Sequence, residues 1–131
     1  MKKFPFDLST DEDLILLPVL INDYEIRLAL DTAATQTIVD FNVLLMLGYT
    51  SVDALATRKL ETANGIMEAQ MFRVSEIETL ERCLVEFEIL SYDFLQKGLL
   101  STYDGVLGLD FFRFAGRLTI DFKEQMLWFS E

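Results

Sequence analysis

Two dipeptides constrain this chain more than any other feature. Asn22-Asp23 and Asn64-Gly65 are built from residue types that accept the positive φ a two-residue hairpin turn requires, and each stands between runs rich in Leu, Ile, Val and Met. Around the first, residues 16–21 and 24–30 are predicted to pair as a hairpin. In the second of these runs Ile26, Leu28 and Leu30 share one face by the period of two, with Arg27 and Ala29 on the other. Around Asn64-Gly65, residues 52–63 and 66–77 are predicted to form a longer hairpin with a polar tip that includes Arg58, Lys59, Glu61 and Glu68. Residues 82–90 alternate as well, which predicts Cys83, Val85, Phe87 and Ile89 on one face and Leu84, Glu86 and Glu88 on the other.

The remaining segments are short. Thr32-Ala33-Ala34-Thr35-Gln36-Thr37 is a small-residue loop whose hydroxyls can bond back to the local main chain. Ile38 and Val39 resume a strand, and Asp40 is placed to cap a two-turn helix over residues 41–47, which Gly48 stops. Residues 91–102 read as a loop or a short turn of helix. Asp104-Gly105 leads into Val106-Leu107-Gly108-Leu109, after which Asp110 is expected to cap a short aromatic helix over residues 111–114. Residues 118–121 and 125–129 close the chain as a hairpin. Residues 1–13, aromatic and acidic without period, read as an arm. The expectation is an all-β chain of about seven or eight strands and two short helices, organised as a single domain over residues 1–131.

Composition narrows the chemistry. With 22 acidic against 11 basic residues the net charge is −11, which repels phosphate backbones and anionic head groups, so neither nucleic acid nor a membrane is an expected partner. His is absent, which removes Ser-His-Asp and Cys-His nucleophiles and His-based zinc sites. Cys83 is the sole cysteine, so no disulfide or cysteine metal cluster is expected within the chain, and a reducing cytoplasm fits. Asp7, Asp11, Glu12 and Asp13 precede the apolar residues 14–21, which are few and contain Pro18; a cleaved leader is not expected, nor is a transmembrane span. Any chemistry must rest on carboxylates.

Leu28-Ala29-Leu30-Asp31-Thr32-Ala33-Ala34-Thr35 resembles the signature of aspartic proteases, an apolar strand followed by Asp-Thr-Gly and a small or hydroxyl residue. The Asn64-Gly65 hairpin, the Val106-Leu107-Gly108 segment and a short helix before a final hairpin follow in the order of the single-domain, retropepsin-like members. The resemblance spans about residues 14–129. It implies a closed, pepsin-type β-barrel lobe with two short helices that works as a homodimer on polypeptide substrates. By the same resemblance Asp31 is the catalytic residue, and Thr32, Ala33, Ala34 and Thr35 are its supporting loop. Ala63, Asn64, Gly65, Ile66 and Met67 form a flap over the substrate, and Val106, Leu107 and Gly108 pass behind the loop. The terminal aromatics Phe4, Phe6, Trp128 and Phe129 are candidates for either core or subunit interface.

Peptide hydrolysis by carboxylates alone needs two of them, one ionised to take a proton from water and one neutral to donate to the carbonyl. The chain carries one Asp-Thr motif, so the second carboxylate is expected from Asp31 of another copy across a two-fold axis. No cofactor or metal is called for; Asp104 and Asp110, which flank the apolar-apolar-Gly segment, are assigned turn and capping roles. A hydrophobic substrate pocket is expected near Ile66 and Met67. The departure from the family pattern is Ala33 in place of Gly, acceptable at negative φ and damaging at positive φ. It keeps open an alternative, a catalytically inactive dimerisation or peptide-binding module of the same fold.

Overall fold

The computed structural model describes residues 2–8, 14–62, 65–98, 102–113 and 115–130. In chain order the elements are β1 (Phe4–Pro5), β2 (Leu16–Ile21), β3 (Tyr24–Leu30), β4 (Ile38–Asp40), α1 (Phe41–Met46), a 3₁₀ turn at Ser51–Asp53, β5 (Ala56–Thr62), β6 (Gly65–Thr79), β7 (Arg82–Tyr92), β8 (Gly105–Leu107), α2 (Leu109–Phe112), β9 (Arg117–Asp121) and β10 (Met126–Ser130). The all-β class with two short α-helices holds.

Six strands, in the order β2-β3-β8-β4-β7-β6, close on themselves through the pairing of Leu20 with Glu78 and Ile21 with Ile77, and β5 lies outside β6. Closure brings the apolar faces of all the strands together. Leu17, Val19, Leu28, Phe72, Val74, Ile89 and Leu107 meet inside, each essentially without solvent contact, and every such side chain contributes about 1.5–3 kcal/mol by leaving water. Near one end β6 and β7 are buried on both faces, because Ala69, Met71 and Leu90 form a second small cluster under β5.

The first hairpin turns as expected, with Asn22 at φ 49° and Asp23 at φ 68°. Elsewhere local chemistry shifts the boundaries. The strand expected from residue 52 starts at Ala56, because Asp53 accepts a 2.8 Å hydrogen bond from the Thr50 amide and winds residues 51–53 into a turn. Ser91 and Tyr92, expected in a loop, extend β7, where the Ser91 hydroxyl donates to the Val39 carbonyl at 2.6 Å. The predicted one-face set of β7 also fails. Glu86 adopts φ 51° and the ladder with β6 skips it, so the strand changes phase; Phe87 and Ile89 face the core, whereas Cys83 is exposed, Val85 is 67% exposed and Leu84 takes the inward position.

The termini form a separate three-stranded sheet in the order β1-β10-β9. The described part of the arm docks on its own chain. Phe4 pairs with Leu127 and Pro5 with Met126, the Phe6 amide donates to the Gln125 carbonyl at 3.0 Å, and the Phe6 ring is buried in the core. Lys3 stands 4.4 Å over the Trp128 ring, and Phe129 packs on Phe112.

β8 is the keystone of the barrel: it runs parallel to β3 and antiparallel to β4. Its first residue, Gly105 (φ 151°), lies so close to β4 that a Cβ there would stand 1.9 Å from the Ile38 carbonyl oxygen. Gly105→Ala is expected to lose more than about 3 kcal/mol, through strain and displaced backbone; urea denaturation followed by near-UV circular dichroism checks this.

Candidate active site

β3 ends at Leu30 and delivers Asp31 to the mouth of the barrel. The Leu30 amide donates to the Ile15 carbonyl at 2.8 Å and the Asp31 amide to the Leu107 carbonyl at 3.0 Å, so the strand end is held from both sides. The chain then turns sharply, with the Ala34 amide on the Asp31 carbonyl and the Ala33 amide donating to Asp31 Oδ1 at 2.9 Å. That last bond aims the carboxylate. Ala33 lies outside the left-handed region, so its backbone conformation is one an alanine adopts freely, and its exposed methyl faces the cleft described below.

The loop is anchored from beneath. Thr37, completely buried, donates from its amide to Asp110 Oδ2 at 2.9 Å and from its hydroxyl to Asp110 Oδ1 at 2.8 Å, while the same hydroxyl accepts from the Gly108 amide at 3.1 Å. The Leu109 amide donates to the Ala34 carbonyl at 2.8 Å. Gly108 sits so close that a Cβ would come within 2.7 Å of the Gln36 carbonyl carbon and 2.8 Å of the Ala34 oxygen. Val106, Leu107 and Gly108 thus run against the Asp31 loop. Asp110 differs from expectation: helix α2 begins at Leu109 with Gly108 at its N-cap, and Asp110 spends its carboxylate on Thr37 and the Phe111 amide. Thr37 and Asp110 were missed as site residues because their partnership is a contact across 73 positions; the available signal was an acidic residue at the start of a helix too short to need a cap.

Between the loop and β5 lies a cleft of about 640 Å³. Asp31, Ala33, Ala34, Thr35 and Gln36 form one wall, and Lys59, Leu60 and Glu61 the other. Its floor is apolar, made by Ile38, Leu90 and Val106, with Tyr92 and Phe94 at one side and their rings 4.8 Å apart. Burial pushes the Tyr92 phenol up, helped by the Tyr103 phenol and the Asp40 carboxylate, so it stays a neutral hydrogen-bond donor. The apolar surface comes from Leu60 and the floor; Ile66 is 69% exposed, and neither it nor Met67 is among the residues that line the cleft. β5 and β6 pair out to Thr62 and Gly65, and the flap residues Ala63 and Asn64 lie outside the described residues. Thr32 points elsewhere, into a second cavity of about 420 Å³ shared with Leu109, Phe112, Arg113, Gly116, Leu118 and Ile120. No helix among the described residues is long and apolar enough to cross a membrane.

A single carboxylate presented in this way can take or give a proton at a bound carbonyl or water, and it has no second carboxylate beside it within the cleft lining other than Glu61 on the far wall. A family model described as aspartyl protease matches residues 17–111 of the chain. The crystal structure of a retropepsin-like aspartic protease from Rickettsia conorii superposes with a TM-score of 0.74 over 98% of this chain and 99% of that one, at 16% sequence identity, a likeness of fold. No curated protein sequence matches.

Two outcomes test the frame of the site. Thr37→Val keeps the amide bond to Asp110 Oδ2 but takes the hydroxyl donor from Oδ1 and leaves the Gly108 amide without its acceptor; it is expected to cost about 3 kcal/mol, with Thr37→Ser close to the parent, by urea denaturation. Asp93 accepts from the Gln96 amide and the Asn42 side chain, which hold its carboxyl below the usual range. A lowered folded value means its stabilisation is present above the unfolded pKa and is lost as pH falls through the folded one. Asp93→Asn should therefore lower the melting temperature at neutral pH, with the gap to the parent closing as pH falls below about 4, so that its acid limb is flatter.

Proposed function

We propose that this chain, which belongs to the aspartyl protease family and has a retropepsin-like fold, is an aspartic endopeptidase whose water-activating pair is Asp31 and Asp31 of the partner subunit. The observation that carries the reading is the presentation of Asp31: one oxygen pinned by the Ala33 amide, the other without a hydrogen bond among the described residues, at the edge of an apolar-floored cleft. The domain over residues 1–131 is then one half of an enzyme, and its free, exposed Cys83 suits the reducing cytoplasm.

In this mechanism two carboxyl groups near a two-fold axis share one proton, because two ionised forms at that distance repel each other. The ionised group takes a proton from the water between them as its oxygen bonds to the scissile carbonyl carbon. The neutral group donates its proton to the carbonyl oxygen. The tetrahedral species collapses when a proton passes to the amide nitrogen, the C–N bond breaks and the carboxylic acid product forms. Thr32 would bond across the axis and brace both loops, with Ala34 and Thr35 completing each loop and Val106, Leu107 and Gly108 backing it. The hairpin tip at Ala63, Asn64 and Gly65, with Ile66 and Met67 on the following strand, would close over an extended polypeptide and exclude water. Leu60, Ile38 and Leu90 favour an apolar side chain beside the cut.

The exposed Ala33 methyl at the cleft favours a second reading, an inactive peptide-binding module, since it occupies room an extended substrate would use. The two separate cleanly. On the enzyme reading Asp31→Asn lowers kcat/KM on a peptide library by about 10³-fold or more without changing the melting temperature, and a pepstatin-type inhibitor blocks the parent. If parent and variant both bind peptides and neither cuts any between about pH 3 and 8, the module reading stands.

A further inference from the structure

Tyr92 brings to the cleft a polar group that the hydrolytic mechanism does not use. In the register of β4 with β7, Ile38 lies beside Leu90 and Asp40 beside Tyr92. By the period of two, Leu90 and Tyr92 share the sheet face that floors the cleft. The Tyr92 ring accordingly packs on the cluster of Ala69, Met71 and Leu90, with Leu60 and Ile38 on the same cluster. Its hydroxyl makes no hydrogen bond among the described residues. A half-buried donor without a partner is costly to cover with hydrocarbon and rewarding to pair.

The ring is also fixed in place. Phe94, almost wholly buried, backs it at 4.8 Å with the two rings tilted by 34°. The Phe94 amide donates to Asp40 Oδ1 at 3.2 Å, and the same oxygen accepts from the Asn42 amide at 3.2 Å and from Asn42 Nδ2 at 3.1 Å. That Nδ2 donates to Asp93 Oδ1 as well, at 2.9 Å, and the Gln96 amide reaches the same Asp93 oxygen at 3.1 Å. Asn42 thereby ties the start of α1 to the segment that carries Phe94. A phenol set against so firm a backing loses little freedom when a ligand arrives, so the hydrogen bond it gains is not offset by ordering.

We propose that Tyr92 is a specificity-determining residue of the cleft, whose phenol donates to the carbonyl oxygen of a glutamine-type side chain of the substrate, an apolar stem with an uncharged tip. The methylenes of such a side chain lie on the apolar floor, and its carbonyl meets the hydroxyl. A carboxylate tip of the same length is disfavoured, because Asp31 and Glu61 line the cleft and Asp40 acts on the phenol, against Lys59 as the one cation in the lining. A hydrocarbon tip strips water from the phenol and returns nothing, the asymmetry by which a polar site rejects an isostere. At about 640 Å³ the cleft holds more than one side chain of an extended peptide, so this demand adds to the apolar one beside the cut. The inference rests on the peptide-cleft reading above and names the substrate feature that the cleft selects.

Tyr92→Phe removes the hydroxyl and keeps the ring. No bond among the described residues is lost with it, so the melting temperature should match the parent's; a clear fall makes the hydroxyl structural and overturns the proposal. Selectivity is read on peptides that the parent cuts, varied one position at a time through Gln, Met and Glu, which are close in length. At one position the parent should prefer Gln to both others by roughly five- to tenfold in kcat/KM, carried mainly by KM, and Tyr92→Phe should bring Gln and Met within about twofold of each other. Cutting without such a preference, or with one that Tyr92→Phe leaves intact, overturns the role of Tyr92 while the protease reading survives. If nothing is cut, the same peptides are titrated by fluorescence anisotropy: a Gln preference in Kd that Tyr92→Phe abolishes upholds Tyr92 and overturns the protease reading. Neither cutting nor binding overturns both.

Discussion

The pair of hydrogen bonds between buried Thr37 and half-buried Asp110 is the constraint on which the site depends. It joins the end of the Asp31 loop to the first turn of α2, and the Thr37 hydroxyl passes the connection on to the Gly108 amide. A half-buried carboxylate held against these two donors is strongly directional, and the cost of leaving any one of the three groups unpaired is what keeps them together. Gly108 is the geometric counterpart. With no Cβ it lets β8 press against residues 34–36, and that contact fixes where Asp31 points relative to the strands on either side.

What could be read in the residues divides along physical lines. Local effects were legible: Asn22-Asp23 turns because both side chains tolerate positive φ, and Asp40 caps α1 by accepting from the Asn42 amide at 3.2 Å. The Asp31 loop was legible as a motif, and so were the barrel class and the Val106-Leu107-Gly108 segment behind the loop. Non-local effects were not. Leu80-Glu81 turns at φ 54° and 59° although neither residue favours it, because the long β6–β7 ladder compels the reversal at a cost of about 1–2 kcal/mol per residue. Glu86 flips the phase of β7 within an alternation that looked unbroken. Asp110 obeyed a local rule on paper, an acid ahead of a short helix, and in the fold is claimed by a threonine far away in sequence. The cleft wall of Lys59, Leu60 and Glu61 followed from how β5 folds over β6, which alternation alone does not reveal.

The two sides of the molecule are built to different standards. Where β6 and β7 cross under β5, side chains pack on both faces of the sheet, so the strands that floor the cleft are held from above and below. The mouth is chemically mixed: a carboxylate, a neutral phenol and apolar rings on a rigid bed, facing a β5 wall that bears one charge of each sign at Lys59 and Glu61. A ligand entering there meets an apolar surface with a few polar groups, the composition common to ligand clefts.

The docking of the arm on its own chain has a kinetic meaning. When termini are exchanged between subunits, folding and assembly are one bimolecular event, and neither half is whole alone. Here β1 lies on β10 of the same polypeptide and Phe6 is already in that polypeptide's core, so a single chain can reach its final packing at a rate independent of how many others are near. Any pairing that follows is then a separate, second-order step, one that dilution would reverse without unfolding anything.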